Sequence, residues 1–252
     1  MIYYKYIIIY LILFSYLCAD EPIALITKCM CNVKYKNFTK NKFNVQAKVN
    51  SPVYHDDGIK TEKKAFSKIM YLDNPSSISI YPETKISIMG EINGEFIDKG
   101  INMDQGIIKV NIAANEFGNT FTIVTPYSKV HCKECNFWLI SNKKEGDHIY
   151  NIYSNGFVIN KSSSKSIAFI NHSTIISVKD KEIEKYHTLS NEYNFLESLM
   201  INANEQYEDS YVQKVINRKK RDEKKYSSNV VEIKLRNKFN IQKTIILTYT
   251  KQ

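Results

Sequence analysis

The sequence contains few of the residues that interrupt regular structure or build extended polymers. Its 252 residues include only 8 glycines, 5 prolines and 1 tryptophan, which excludes collagen-like, low-complexity and wholly disordered classes. No stretch of about 20 apolar residues follows the N-terminal segment, so a multi-pass helical membrane protein is excluded as well. The remaining composition, 43% hydrophobic and 24% charged, is sufficient for one large domain or two small ones.

The N-terminal segment has the pattern of a secretory signal peptide. Residues 1–19 carry one charge, Lys5, before an apolar run that is too short to span a bilayer, and Ala19 is a small residue at a suitable cleavage position. An uncleaved anchor is the alternative. The last residues form neither an apolar tail nor an ER-retention signal. We therefore expect a mature chain without a transmembrane span, in the secretory pathway and then secreted or peripheral at the cell surface.

Four cysteines remain after removal of the signal peptide, as the CxC pair Cys29 and Cys31 and the CxxC pair Cys132 and Cys135. An even number of cysteines in an oxidising compartment predicts two disulfides. A bond within the CxC pair would close a very small, strained ring. We therefore expect two bonds between the pairs, each closing a loop of about 100 residues and stabilising the fold by about 4–5 kcal/mol.

Two other interpretations of the cysteines stay open. The CxC and CxxC pairs together have enough ligands for a tetrahedral zinc site, although CxC is an uncommon zinc motif. Alternatively, Cys132 and Cys135 form a redox-active dithiol whose thiolate is favoured by the neighbouring His131 and Lys133. The βαβ context of thioredoxin-like enzymes is missing. The structural disulfide is favoured, so no metal and no cofactor are expected.

Short β-type runs dominate the chain from residue 22 to about residue 180. They are rich in β-branched and aromatic residues, and several alternate with a period of two. Short strands without intervening helices favour an antiparallel sandwich or barrel. The predicted runs are Ala24–Tyr35, Asn44–Val49, Ser77–Tyr81, Lys85–Ile92, Ile107–Ile112, Thr120–Thr125, Asn136–Ile140, His148–Tyr153, Phe157–Asn160, Ile167–Ile170 and Thr174–Val178.

Two Asn-Gly dipeptides between β-type runs predict tight hairpin turns. Asn93-Gly94 and Asn155-Gly156 each lie between two short apolar runs. Two-residue hairpin turns require positive φ, which asparagine and glycine adopt readily. We therefore expect the chain to reverse direction at both positions.

A helical pattern follows from Ser190 to about Lys225. Ser190 is the expected N-cap, and Glu192 lies in the predicted first turn. Apolar residues then recur three or four apart, at Leu196, Met200, Ala203, Tyr207, Tyr211 and Val215. This spacing predicts one long amphipathic helix, packed on the β domain or available to a partner.

Two strands, Val230–Leu235 and Thr244–Tyr249, follow the predicted helix and form a possible β-hairpin. The expected organisation is thus a signal peptide over residues 1–19, a disulfide-stapled β domain over residues 20–185, and a helix plus basic hairpin over residues 186–252. We expect the last segment to pack on the same core.

The positive charge is concentrated at the C-terminus. Residues 210–252 contain 12 basic and 3 acidic residues, whereas residues 20–209 have a net charge of −1. This asymmetry predicts contact with another protein or with an anionic surface such as glycosaminoglycan or lipid head groups, and a secretory signal argues against nucleic acid. A solvated basic surface and proteolytic processing after Arg221 are the alternatives. The candidate binding residues are Arg218, Lys219, Lys220, Arg221, Lys224 and Lys225.

Motifs for catalysis are missing from the sequence. It contains no HExxH, GxSxG, P-loop or GxGxxG pattern. The polar segment His55-Asp56-Asp57-Gly58 is interpreted as an Asx turn, and a histidine base beside two carboxylates is the alternative. Three sequons, at Asn37, Asn160 and Asn171, are possible glycosylation sites.

The combined pattern favours a non-enzymatic recognition protein, either an adhesin or a subunit of an extracellular or lumenal complex. The alternative is a lumenal enzyme or thiol-redox factor that uses Cys132 and Cys135. The sequence does not indicate an oligomeric state.

Overall fold

The computed structural model describes residues 21–40, 42–114, 120–179, 181–203, 230–236 and 242–248, and for the last two ranges it describes only the backbone. The chain divides into two units, Met1–Thr188 and Leu189–Gln252. The predicted signal peptide, the basic residues 218–225 and the predicted second half of the helix lie outside the described residues, so they stay predictions.

The first unit is mainly β, as predicted. Its strands form one hydrogen-bonded sheet in which β9 and β10 are parallel and all other described pairs are antiparallel. The strands are β1 (Ala24–Met30), β2 (Val33–Lys36), β3 (Val45–Gln46), β4 (Pro52–Val53), β5 (Gly58–Thr61), β6 (Phe66–Tyr71), β7 (Ser77–Ile80), β8 (Lys85–Asn93), β9 (Phe96–Ile112), β10 (Phe121–Val124), β11 (Ser128–Asn142), β12 (Gly146–Asn160), β13 (Ser166–Ala168), β14 (Ser173–Ser177) and β15 (Glu184–His187).

Three long strands, β9, β11 and β12, belong to two series of strands at once. The first half of β9 pairs with β8 and β10, and its second half pairs with β7 and β11. The first series runs β3-β2-β5-β8-β9-β10-β11-β12-β13, and the second runs β4-β1-β6-β7-β9-β11-β12-β14-β15. The long strands therefore join the two series covalently.

The core of this unit is built mainly from isoleucine at alternating strand positions. In β8, for example, Ile86 and Ile88 are buried while their neighbours are partly exposed. Full burial of one such side chain stabilises the fold by about 1.5–3 kcal/mol. Trp138 is fully buried, and its ring lies 4.7 Å from that of Tyr81, so it is a core aromatic residue.

The two Asn-Gly dipeptides have different structures. The prediction is confirmed at Asn93-Gly94, because β8 and β9 are joined there by Gly94 and Glu95, with Gly94 at φ +67°. The prediction is wrong at Asn155-Gly156, because β12 continues through both residues. Gly156 instead allows the backbone of β12 to lie close to that of β11.

The second unit contains helix α1 (Ser190–Asn202) and a separate antiparallel pair, β16 (Val230–Arg236) with β17 (Gln242–Thr248). The N-cap is Leu189 instead of Ser190, and its backbone N–H donates to Glu192 Oε2 at 2.6 Å. A carboxylate in the first turn also suits the helix dipole. Within the described part of the chain, no helix combines the length and the apolar character needed to cross a membrane.

Candidate functional site

A disulfide joins Cys132 to Cys135 across a bulge in β11. Cys132 lies opposite Gly156 and Cys135 opposite Ser154, so three steps along β11 match two steps along β12. One extra residue in a strand is the definition of a β-bulge. The two Cα atoms are 6.2 Å apart, and both cysteines are buried. The bond therefore closes the bulge locally.

The prediction of two disulfides that join the CxC pair to the CxxC pair is wrong, because Cys29 and Cys31 are free thiols in the structure. Cys29 lies on β1, and strands β6, β7 and β9 separate β1 from β11 in the second series. Four strand spacings correspond to about 19 Å along a flat sheet, whereas a disulfide requires Cα atoms within about 7 Å. Burial raises the pKa of the Cys29 thiol, which contacts the carbonyl oxygen of Ala47.

The surroundings of the CxxC disulfide differ from those of a reactive dithiol. Burial and the nearby Lys129 lower the pKa of His131, which favours its neutral form and weakens any stabilisation of a thiolate. The His131 ring lies 5.2 Å from that of Phe157, and its Nδ1 is 3.1 Å from Thr122 Oγ1. Among the described residues, no three His, Cys, Asp or Glu side chains lie close enough together to hold a metal ion.

The three sequon asparagines have unequal access to solvent. Asn171 is exposed and Asn37 is half-buried. Asn160 is fully buried, and its side-chain nitrogen donates to Ser177 Oγ at 3.1 Å and to the carbonyl oxygen of Val178 at 2.9 Å. A glycan would replace one of the two N–H donors, so at least one of these hydrogen bonds would be lost and a sugar would have to fit at a fully buried side chain. Asn160 is therefore unsuited to glycosylation in the folded protein.

Two adjoining cavities of about 340 Å³ and 290 Å³ form a groove on the first unit, which we name the Ile92 groove. Glu21 and Ile92 line both cavities. The other lining residues come from the segment just before β1 and from the segments around β2, β4, β6, β8 and β9: Pro22, Ile23, Phe38, Tyr54, His55, Leu72, Asp73, Gly90, Gly94, Glu95, Phe96 and Ile97.

Large apolar side chains at the Ile92 groove are exposed. Phe38 is 49% exposed, Leu72 is 48% exposed and Ile92 is 40% exposed. A single exposed apolar residue on a protein surface needs no explanation, but several around one concave site are typical of a binding site. This clustering makes the groove the candidate functional site.

A buried ion pair lies beneath one end of the groove. The Lys99 ammonium donates to Asp73 Oδ2 and, at 3.2 Å, to the carbonyl oxygen of Ile97, and the two charged side chains are only 3% and 5% exposed. The Ile97 N–H also donates to Asp73 Oδ2, at 2.9 Å. Asp73 Oδ1 is buried and has no hydrogen-bond partner among the described residues.

The other end of the groove is organised by Asp57. Its buried carboxylate accepts hydrogen bonds from the Tyr54 N–H at 2.8 Å, from the Phe38 N–H at 3.1 Å and from the Tyr35 hydroxyl. Burial and the Asp57 hydrogen bond raise the pKa of Tyr35. The predicted polar turn at Asp57 thus holds two residues that line the groove, which is a positioning role that the sequence did not indicate.

A second, polar cleft of about 590 Å³ lies elsewhere on the first unit. Its charges are largely paired with each other, since Lys60 Nζ lies 3.2 Å from Glu62 Oε1 and Lys85 Nζ lies 2.5 Å from Asp104 Oδ2. The lysines lower the pKa of Glu62. Because no large exposed apolar side chain lines this cleft, it is a weaker candidate than the Ile92 groove.

Comparisons with known proteins show no family for this chain. No family model matches the sequence, and a search of curated proteins found no match. Two crystal structures of a candidate anti-sigma factor from Parabacteroides distasonis ATCC 8503, at 1.65 and 2.50 Å resolution, are similar in fold with a TM-score of 0.46. The sequence identities are 12% and 13%, and each match covers 77% of this chain and 99% of the other. A similarity this distant carries no argument about function.

Proposed function

We propose that the protein is a non-enzymatic recognition protein of the secretory pathway, secreted or held at the cell surface, which binds a partner protein through the Ile92 groove. The observation that carries this proposal is the clustering of exposed Phe38, Leu72 and Ile92 around one concave site. Buried apolar anchors in a pocket supply much of the affinity of protein interfaces.

The basic C-terminal segment supplies a second contact in this proposal. Its net charge of +9 over residues 210–252 contrasts with −1 for residues 20–209. Opposite charge on a glycosaminoglycan, a lipid head group or an acidic protein would accelerate association, and the effect would weaken at high salt. The proposed contact residues are Arg218, Lys219, Lys220, Arg221, Lys224 and Lys225.

For the fold, we propose that the two strand series are the two layers of an antiparallel sandwich. The shared strands β9, β11 and β12 support this arrangement, because a strand that changes its partners halfway along can pass from one layer to the other. Helix α1 ends at Asn202 with Ala203 as its C-cap, so the helix predicted from Ser190 to about Lys225 is not continuous. We further propose that β16 and β17 form a hairpin.

A thiol-redox function of Cys132 and Cys135 is the alternative. The disulfide between them supports it. Their burial opposes it, since a redox-active cysteine must reach its substrate. Activity that is lost in the Cys132→Ser variant while the fold persists would favour this alternative over recognition.

The proposal is tested by binding the labelled full chain to a surface preparation from the cells that make it. We expect the double variant Leu72→Ser, Ile92→Ser to lose binding by about tenfold or more. Met70→Ser is the matched control, because Met70 is also exposed, at 42%, but does not line the groove. Equal binding of the double variant and the wild type would refute recognition through the groove.

A further inference from the structure

We propose that the Ile92 groove binds an extended protein segment in which a lysine or arginine is flanked by apolar side chains. This inference rests on the proposed function and adds the chemistry of the partner.

The first argument is charge complementarity. The exposed charged residues that line the groove, Glu21 and Glu95, are both carboxylates, and no lysine or arginine lines either cavity. The nearby Lys99 is buried and bonded to Asp73, so it offers little positive charge to a ligand. The exposed His55, whose Nε2 lies 3.4 Å from Asp56 Oδ2, is a basic residue at one end of the groove. A cationic side chain is therefore attracted to Glu21 and Glu95, away from His55.

The second argument is an unsatisfied acceptor. Asp73 lines one cavity, its side chain is 5% exposed, and its Oδ1 has no hydrogen-bond partner among the described residues. Buried carboxylate oxygens nearly always have donors, so a water molecule or a ligand group is expected to donate to Oδ1. An ammonium or guanidinium group is the donor that carries the charge favoured by Glu21 and Glu95.

The third argument is shape. The two cavities share Glu21 and Ile92 in their linings, so the groove offers two adjoining compartments. A segment that crosses Ile92 can place apolar groups against Phe38 in one compartment and against Leu72 in the other. The methylene groups of a lysine or arginine can also pack on these surfaces while the charged end reaches a carboxylate.

The test uses short fluorescein-labelled peptides and the full chain, with binding measured by fluorescence anisotropy. The peptides alternate Leu with Lys, Leu with Glu, or Ser with Lys. We expect the Leu-Lys peptide to bind about tenfold more tightly than the other two, because each of the others lacks one of the two kinds of contact.

A charge-reversal variant gives the decisive comparison. Glu21→Lys with Glu95→Lys should reverse the preference from the Leu-Lys to the Leu-Glu peptide. The matched control is Glu134→Lys with Glu184→Lys, which changes the net charge equally at exposed positions outside the groove. The control should keep the wild-type preference.

Several outcomes would overturn the inference. If all three peptides bind equally, or if the charge reversal leaves the preference unchanged, the ligand class is wrong. If Leu72→Ser with Ile92→Ser weakens binding to the cell surface at the same time, recognition through the groove still stands.

Two other occupants would also overturn the inference. Sedimentation of the wild type as a dimer that the charge reversal dissociates would identify a second copy of the chain. A higher affinity for the Leu-Lys peptide after glutamine replacement of residues 218–221 would identify the basic segment of the chain itself.

Discussion

Gly156 lies directly opposite Cys132 in the β11–β12 ladder, and a Cβ on Gly156 would lie 2.0 Å from the carbonyl oxygen of His131 and 2.7 Å from the Cα of Cys132. Both of these neighbours belong to the backbone of β11, so neither can move away as a flexible side chain can. The bulge that the disulfide closes therefore lies against a position of β12 that only glycine can occupy.

This relationship predicts that Gly156→Ala lowers the free energy of unfolding by about 3 kcal/mol or more, since overpacking against backbone is relieved only by separating the two strands. Urea denaturation measures the loss. Gly94→Ala is the control, because Gly94 has a positive φ but a Cβ added to it would meet no atom within 4 Å. That variant should lose only about 1–2 kcal/mol. Equal losses at the two positions would contradict the close approach at Gly156.

The local disulfide predicts a specific peptide map. Trypsin cuts after Lys133, so without reductant residues 130–133 should remain linked to residues 134–143, and alkylation should label Cys29 and Cys31. Linkage of either of these two cysteines to the CxxC pair would instead support the bonds expected from the sequence.

The short loop also predicts a modest contribution of the disulfide to stability. Replacement of Cys132 and Cys135 by serine should lower the free energy of unfolding by about 2 kcal/mol, because the bond closes a loop of only four residues. Thermal or urea unfolding of the double variant and the wild type under the same conditions measures this loss. A loss near the 4–5 kcal/mol expected for loops of about 100 residues would be inconsistent with the local bond.

Asp147 predicts a pH dependence of stability. Burial raises its pKa, and hydrogen bonds from Ser128 and from Thr125 Oγ1, at 2.5 Å, oppose this only in part. A carboxyl group whose folded pKa exceeds its unfolded value of about 3.9 stabilises the fold fully below that value. This contribution is lost as the pH rises through the folded pKa. Asp147→Asn, which does not titrate, should therefore gain stability relative to the wild type as the pH rises.

The measurement for Asp147 is urea unfolding of variant and wild type at a series of pH values from about 3 to about 7. Glu182→Gln is the control of opposite sign, because hydrogen bonding to Lys165 lowers the pKa of Glu182. Its contribution is present above the unfolded pKa of about 4.3 and is lost as the pH falls. A flat difference between Asp147→Asn and wild type would refute the raised pKa.

The sequons predict selective glycosylation. In a secretory host that glycosylates, Asn171→Gln should remove the mass of one glycan, because Asn171 is exposed. Asn160→Gln should leave the glycan mass unchanged, since Asn160 is buried and donates two hydrogen bonds. Intact mass spectrometry distinguishes the outcomes, and a glycan at Asn160 would show that this part of the structure differs in the secreted protein.

The sequence predicts those features of the fold that depend only on residues close together in the chain. The alternating runs and Asn93-Gly94 predict strands and one hairpin correctly. The turn predicted at Asn155-Gly156 is wrong because Gly156 is needed where the backbones of β11 and β12 lie close together. A contact between two strands cannot be recognised from a dipeptide. Strand β6 is missed because its alternation, Phe-Ser-Lys-Ile-Met-Tyr, includes a charged residue within a short run.

The candidate site was not predictable from the sequence. Glu21, Leu72 and Ile92 come from three separate segments, and only the folded sheet brings them to one groove. Their residue types carry no catalytic or metal-binding pattern that a motif search recognises. Asp57 is recognisable as part of a polar turn, but its hydrogen bonds to groove residues depend on contacts between segments.

The sharing of β9 between the two strand series has a consequence for dividing the molecule. Opening β9 removes hydrogen-bond partners from β7, β8, β10 and β11 at once. Its amides should therefore exchange with solvent only when the whole unit unfolds, while edge strands such as β3 and β15 exchange by local opening. A fragment that contains one strand series alone would leave half of β9 without hydrogen-bond partners. If the protein were divided into two fragments, the break would therefore have to lie next to an edge strand.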